Sequence, residues 1–518
     1  MKQDTLLAID NGTQSIRALL FDLQGQLIAK SKVDIEPYYS IQPGWAEQSA
    51  EYFWEKLCEA CQLLWQQDGV DRKKIKAASI TTQRATMINL DSDGNPLRPA
   101  MIWLDQRKLD SVPPLKGPWR YLIKAAGGAD TLNYYRTQAE CNWIESYQPN
   151  IWRATHKYLL LSGYHTYKLT GAYADSTASQ VGYLPFDFKH HRWCKKHDWR
   201  WKALAIEPKH LPKLYPPGAQ LGTITAEASA ATGIPEGLAL ISSGSDKACE
   251  VIGSGGLNPQ IGSISYGTTA TFNTTSPKYF EAISMLPPYP AAIPKQYSTE
   301  VIVHRGYWMV NWFKREFAHQ EVTEAKQQNI PVESLFEKML NSVPPGCLGL
   351  TLQPYWSPGL RIPGPEAKGA IIGFGDVHTR AHIYRAIIEG IAYALREGKE
   401  RVEDKSGTEV KTLMVSGGGA QSDAAMQITA DIFGMPAIRP HTVETSGLGA
   451  AINAAVGSNL FSSHKEAIQA MTHKGTVFNP DPSNQKLYDA LYNEVYKQIY
   501  DNLSPLYSAI RRITGYPQ

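Results

Sequence analysis

Residues 6–22 read LLAIDNGTQSIRALLFD. Leu6, Leu7, Ala8 and Ile9 form a short apolar run without helical spacing, which predicts a buried strand. Ile16, Ala18, Leu19, Leu20 and Phe21 predict a second. Between them lie Asp10, Asn11, Gly12, Thr13, Gln14 and Ser15. A turn that sets backbone N–H groups and hydroxyls beside a carboxylate can hold a phosphate chain and its Mg²⁺. An Asn-Gly pair between apolar runs is also the commonest signal for an ordinary hairpin, and this stretch alone leaves both readings open.

An echo of the stretch lies near the middle of the chain. Residues 264–272, ISYGTTATF, repeat the order strand, Gly-Thr turn, strand, with Tyr266 where the first copy has Asp10. The copy follows the glycine punctuation at 253–256. Two related domains are therefore expected, 1–256 and 257–518, each opening with a hairpin whose turn faces a shared cleft. A length of 518 residues agrees, because one core stops growing well below that size.

Composition narrows the class. Hydrophobic content of 43% and charged content of 19% are ordinary for a globular protein, and a net charge of +3 predicts no polyanionic partner. The basic run KHHRWCKKHDWRWK at 189–202 reads as a solvated loop over packed rings and not as a nucleic-acid surface. No segment has the roughly 18 apolar residues needed to span a bilayer. A strand starting at Leu6 leaves no room for a signal peptide, so the expected location is cytoplasmic. Six scattered cysteines fit reduced thiols, and Cys58 and Cys61 read as helix packing without a second pair to make a zinc site.

Further along, AASITTQRATMINLD (77–91) predicts two strands meeting at a polar corner, Gln83-Arg84. Trp103, Asp105 and Arg107 follow on a strand end. Arg, Trp and Asp together suit a hydroxyl-rich ligand, while an Arg–Asp ion pair over a core ring is the alternative. Residues 133–175 read as mainly helical, and 225–232 as a short helix. The strand 238–241 runs into SSGSDK, placing Asp246 at a helix start, where an acid can cap the helix or take a proton from a hydroxyl. Near the end, SGGGAQSD (416–423) is a glycine turn before a helix, a setting that favours a phosphate. No GxxxxGK[ST] motif occurs. The four-spaced Tyr488, Tyr492, Tyr496 and Tyr500 read as packing.

Taken together and in order, LAIDNGTQSIRALLFD, PGWAEQ, TTQRATMINLD, AMIWLDQR, GSDKACEVIGSG, GAIIGFGDVHTRAHIYRAIIEGIAY and SGGGAQSDAAMQITADIFG resemble the FGGY-family carbohydrate kinases over nearly the whole chain. These belong with actin and the 70-kDa heat-shock proteins. The resemblance implies an α/β fold of two ribonuclease-H-like (actin-like ATPase) domains flanking a deep catalytic cleft. It further implies ATP-dependent phosphorylation of a small sugar or polyol, with ATP on the second domain and the acceptor mainly on the first. By match, Asp10 stands near Mg²⁺, and Thr13, Gln14, Ser15 and Arg17 near the terminal phosphates. Gly267 and Thr268 approach the phosphates from the other side, while Gly306, Asn311, Gly418, Gly419 and Ser422 line the adenosine site. Arg84, Trp103, Asp105 and Lys247 fall with the substrate, and Asp246 on the general base. A homodimer is a family expectation.

Departures from the pattern bear on the acceptor. Glycerol kinases carry an acid after Gln-Arg and a Gln after the catalytic acid; here these are Ala85 and Lys247. Xylulokinases carry a Met-His pair near the Gln-Arg position, which is absent, and Glu140 stands where a basic residue is usual. A ketopentose or a four- to five-carbon polyol is favoured over glycerol. The alternatives are a non-catalytic sugar-binding regulator on the same fold or, among kinases, a glycerol kinase.

Overall fold

A computed structural model describes residues 4–115, 117–125, 127–359 and 362–516. The chain divides into two compact units: 1–253 with 289–297 and 444–472, and 254–288 with 298–443 and 473–518.

In the first unit the opening stretch forms β1 (Thr5–Asn11) and β2 (Ser15–Asp22), antiparallel, with Asp10 opposite Arg17. β3 (Leu27–Asp34) extends this hairpin, and β4 (Ile75–Thr82) lies parallel to β1 on its other side. β5 (Gln220–Thr223) and β6 (Ala239–Ile241) complete the order β5-β6-β4-β1-β2-β3. β1 is buried along its whole length, as its unbroken apolar run requires. Because β1, β4 and β6 are parallel, their carboxyl ends share one edge of the sheet. Ligands of α/β proteins gather at such an edge.

The second unit has β7 (Ile261–Tyr266), β8 (Ala270–Ser276), β9 (Tyr297–Val303), β10 (Thr412–Ser416), β11 (Ala437–Pro440) and β12 (Lys474–Phe478). Their order is β9-β8-β7-β10-β11-β12, with β7 antiparallel to β8 and parallel to β10. These six strands thus repeat the order of the first unit's six-stranded sheet, differing in that edge strand β5 precedes its neighbour in the chain whereas β12 follows, and in a seventh short strand, Tyr289–Pro290, on the β9 edge. The echo in the sequence corresponds to two topologically equivalent hairpins.

Where the sequence divides the chain once, at 256, the compact units exchange two later segments. The segment 444–472 joins the first unit because its helix Thr445–Gly457 packs backbone to backbone on the helix Asp246–Gly253. A Cβ on Gly449 would lie 2.0 Å from the Cys249 carbonyl oxygen, and one on Gly253 would lie 1.9 Å from that of Thr445. Residues 133–175 are mainly helical, as expected, with one interruption. Lys157–Leu160 is a strand paired antiparallel with Met87–Leu90, so sheet pairing outweighs local propensity there.

Tyr488, Tyr492 and Tyr496 are fully buried in the second core, as packing residues should be, whereas Tyr500 is half-buried and its hydroxyl accepts from the Gly364 N–H at 2.7 Å. The rings of the basic run lie against the first unit, with Trp193 Nε1 donating to the Pro212 carbonyl at 2.9 Å. All six cysteines are free, and among the described residues no helix is long and apolar enough to cross a membrane.

Candidate active site

Two carboxylates and a guanidinium meet where β1, β4 and β6 end. Asp10 is the penultimate residue of β1, Arg84 follows β4, and Asp246 follows β6. Asp10 is 4% exposed. Arg17 Nη1 lies 3.3 Å from Asp10 Oδ2 and 3.1 Å from Glu444 Oε2, and Lys30 Nζ lies 2.5 Å from Glu444 Oε1. Burial pushes the Asp10 carboxyl up to about 7, Arg17 pulls it down, and the charges of Asp246, Glu444 and Glu250 push it up. Three neighbouring carboxylates thus act on Asp10 against the one charge of Arg17.

The turn before Asp246 is anchored to β4. Ser243 Oγ donates to the Ile80 carbonyl, and Thr81 Oγ1 donates to that of Gly244 at 2.9 Å. Gly244 leaves no room for a side chain, since its Cβ would lie 3.0 Å from that of Ala178. Asp246 opens its helix half-buried, with Oδ1 accepting from the Lys247 N–H at 2.7 Å. Burial raises its carboxyl above the ordinary range, while Arg84 and Lys247 pull it down. Lys247, expected beside the substrate, has its ammonium 2.6 Å from Glu250 one turn along the same helix.

The β1–β2 turn differs from the Asn-Gly hairpin that the sequence suggests. Asn11 belongs to the strand, opposite Ile16, and Gly12 is not in the left-handed region. The turn is closed by the Gly12 N–H donating to the Ser15 carbonyl at 3.1 Å. Asn11 points inward instead. Its Oδ1 accepts from His165 Nε2 at 2.9 Å, and its Nδ2 donates to the Gly12 carbonyl at 3.1 Å. Burial lowers the His165 imidazole to about 3, so it is the neutral Nε2–H tautomer that braces the turn. Trp103, 39% exposed and beyond the short strand Ala100–Met101, donates from Nε1 to Thr13 Oγ1 at 3.0 Å. Gln14 is exposed and Ser15 buried.

Asp105 requires a correction. Its carboxylate is buried and takes two hydrogen bonds from the Arg107 side chain, Nε at 2.9 Å and Nη2 at 2.6 Å, and a third from the Ala46 N–H at 2.7 Å. Arg107 also meets Glu47 at 2.8 Å and packs against the rings of both Trp45 and Trp143. The Asp–Arg ion pair consumes the acceptors that a ligand would need, and Asp105 supports the loop carrying Trp103.

In the second unit, Gly267, Thr268, Gly306, Gly418 and Gly419 converge. The N–H groups of Tyr307 and Trp308 donate to the carbonyls of Gly267 and Thr268, at 3.0 and 3.2 Å. A Cβ on Gly306 would lie 2.3 Å from the Ala270 nitrogen, and one on Gly419 would lie 2.2 Å from the Tyr307 ring. Asn311 is exposed on the helix Trp308–Glu316. Ser422 caps the helix Asp423–Phe433 and donates to Glu337, whose other oxygen accepts from the Ala424 N–H at 2.7 Å. The phosphate expected at this helix N-terminus meets a carboxylate already seated there, on a helix far away in sequence. Tyr266, opposite number of Asp10, is packed, with its hydroxyl 2.6 Å from that of Thr429.

Glu444, His165 and Glu337 were not legible in advance, because each acts through a partner distant in the chain. Glu444→Gln is expected to cost about 1–2 kcal/mol in denaturant unfolding. That is less than a wholly buried pair loses, since the Arg17 and Lys30 side chains remain 32% and 37% exposed.

The sequence model for the N-terminal domain of the FGGY family of carbohydrate kinases matches residues 5–253, and that for the C-terminal domain matches 262–458. The chain belongs to the FGGY family of carbohydrate kinases. It is an enzyme that phosphorylates a sugar, with ATP as the phosphoryl donor. It is 28% identical over 508 residues to the uncharacterized sugar kinase YgcE of Escherichia coli (strain K12), covering 96% of this chain and 94% of the relative. It is also 28% identical to the xylulose kinase of Lactococcus lactis subsp. lactis (strain IL1403), covering 97% of each. The fold matches the crystal structure of xylulose kinase from Rhodospirillum rubrum with a TM-score of 0.81 at 24% identity, over 97% of this chain and all of that one.

Proposed function

We propose that the chain transfers the terminal phosphoryl group of ATP to a hydroxyl of a ketopentose or a four- to five-carbon polyol, with Asp246 as general base. The observation that carries this reading is the meeting of Asp10, Arg84 and Asp246 at the ends of three parallel strands. Phosphoryl transfer needs positioning, charge neutralisation and an oriented nucleophile rather than covalent help. Asp246 accepts the acceptor hydroxyl's proton; Arg84 holds a neighbouring oxygen; Trp103 covers the carbon face. Thr13, Gln14, Ser15 and Arg17 approach the terminal phosphates from the first unit. Within the second unit, Gly267 and Thr268 are assigned to the phosphates and Gly306, Asn311, Gly418, Gly419 and Ser422 to the nucleoside.

Among the described residues no group of three or more His, Cys, Asp or Glu side chains is arranged to hold a metal ion. Mg²⁺ arriving with ATP commonly uses one or two carboxylates, substrate phosphates and water. Asp10 would hold it, and when bound it supplies charge neutralisation at the phosphate oxygens.

Xylulose kinases among the relatives support a ketose acceptor. Ala85 leaves no side-chain acceptor after Arg84, so glycerol is expected to turn over poorly. A coupled ADP-release assay over D-xylulose, D-ribulose, erythritol, D-arabinitol and glycerol tests the proposal. One strongly preferred ketopentose or polyol is expected. Sugar-independent hydrolysis, or glycerol as the best acceptor, would overturn it.

A further inference from the structure

We infer that Tyr289 is a specificity-determining positioning residue, whose ring holds the Arg84 guanidinium in its working orientation. The inference rests on the reading of Arg84 as an acceptor-binding residue. Residues 289–297, YPAAIPKQY, follow β8 in the second half of the sequence yet belong to the first compact unit. Ala291, Ala292 and Ile293 are buried, and the Ala291 N–H donates to the Gln296 carbonyl at 2.9 Å, closing the segment on itself.

The segment is fixed at both ends of its contact with the site. Ala292 lies against Gly244, two residues before Asp246, where a Cβ on that glycine would come within 3.3 Å of the alanine methyl. At the far end the Tyr297 hydroxyl donates to the Lys189 carbonyl at 2.6 Å, and its ring packs on His191 at 4.8 Å. Tyr289 is thereby delivered over Arg84, with the guanidinium carbon 5.2 Å from the ring centroid. Phe188 supports the same ring at 6.1 Å.

Arg84 has many rotamers, and a stacked aromatic ring narrows them to a plane. The following residue cannot do so, because Ala85 offers only a methyl group and sits at φ +49°. The charges of Arg84 and Asp246 act on one another. A guanidinium fixed between the base and the ring therefore selects acceptors whose second oxygen lies at one distance from the reacting hydroxyl.

Four variants test the inference: Tyr289→Leu, Tyr289→Met, Tyr289→Phe and Arg84→Met, assayed over D-xylulose, D-ribulose, erythritol and D-arabinitol. Loss of the ring is expected to raise the acceptor KM between about 2- and 30-fold. It should also flatten the ranking of acceptors, while kcat and the KM for ATP stay within about 2-fold. Tyr289→Phe retains the ring and should behave as the native protein does. Tyr289→Met keeps apolar bulk, so the comparison stands should Tyr289→Leu fail to fold. If Tyr289→Phe loses as much as Tyr289→Leu, the ring is not responsible and the inference falls. It falls equally if Leu and Met leave the acceptor KM unchanged while Arg84→Met raises it, with the role of Arg84 intact. If Arg84→Met itself has no effect on the acceptor KM, the underlying reading fails.

Discussion

Asp246→Asn is expected to lower kcat by about 10²- to 10⁴-fold, the ordinary worth of a general base. The substitution is close to isosteric, and its carbonyl oxygen can still accept from the Lys247 N–H, so the helix cap survives. Acceptor and nucleotide affinities should remain within a few-fold, as read by titration calorimetry. A variant retaining more than about a tenth of native turnover would remove Asp246 from its assigned role. The pH profile supplies a second check. A general base works ionised, so activity is lost as pH falls through its folded-state pKa, which burial raises above the ordinary 3.8. The acid limb of kcat/KM for the acceptor should therefore lie above the range of an ordinary aspartate. Because Arg84 holds that carboxyl down, Arg84→Met should move the limb further towards neutrality.

Gly449→Ala is expected to be among the most damaging single-methyl changes in the first unit. The new Cβ would stand 2.0 Å from the Cys249 carbonyl oxygen and 2.8 Å from its Cα, all backbone that cannot swing aside. The helices Thr445–Gly457 and Asp246–Gly253 must move apart to ordinary contact distance. Overpacking of this kind costs about 3 kcal/mol or more, which for a unit of this size lowers Tm by roughly 6–12 °C. Because the displaced helix carries Asp246 at its first position, kcat should fall as well, and a shift near 1 Å can cost about 10²-fold. Gly447→Ala is the control on the same helix. Its Cβ would meet Leu19 Cδ1 at 2.1 Å, the far end of a side chain that can change rotamer, and the cost should be distinctly smaller. Equal losses from the two would show that the Gly449 contact is not what sets the helix spacing.

Everything encoded locally was legible in the residues. Runs such as LLAI and IRALLF read as buried strands, so the hairpins and their repetition followed from the residues, while the kinase class followed from the resemblance of the ordered motifs to the FGGY family. Asp10 and Asp246 were legible beside them, since one ends an apolar strand run and the other opens the helix after one. Tertiary structure alone decided which polar groups are spent and which are left for a ligand. Asp105 looked like a ligand group until Arg107 and the Ala46 N–H took its oxygens, and Asn11 looked like a turn residue until His165 drew it inward. Glu444 reaches Arg17 across 427 positions, and Tyr289 reaches Arg84 from the other half of the chain. Contacts between residues so far apart leave no periodicity or motif behind, because they are made by packing after the strands have formed.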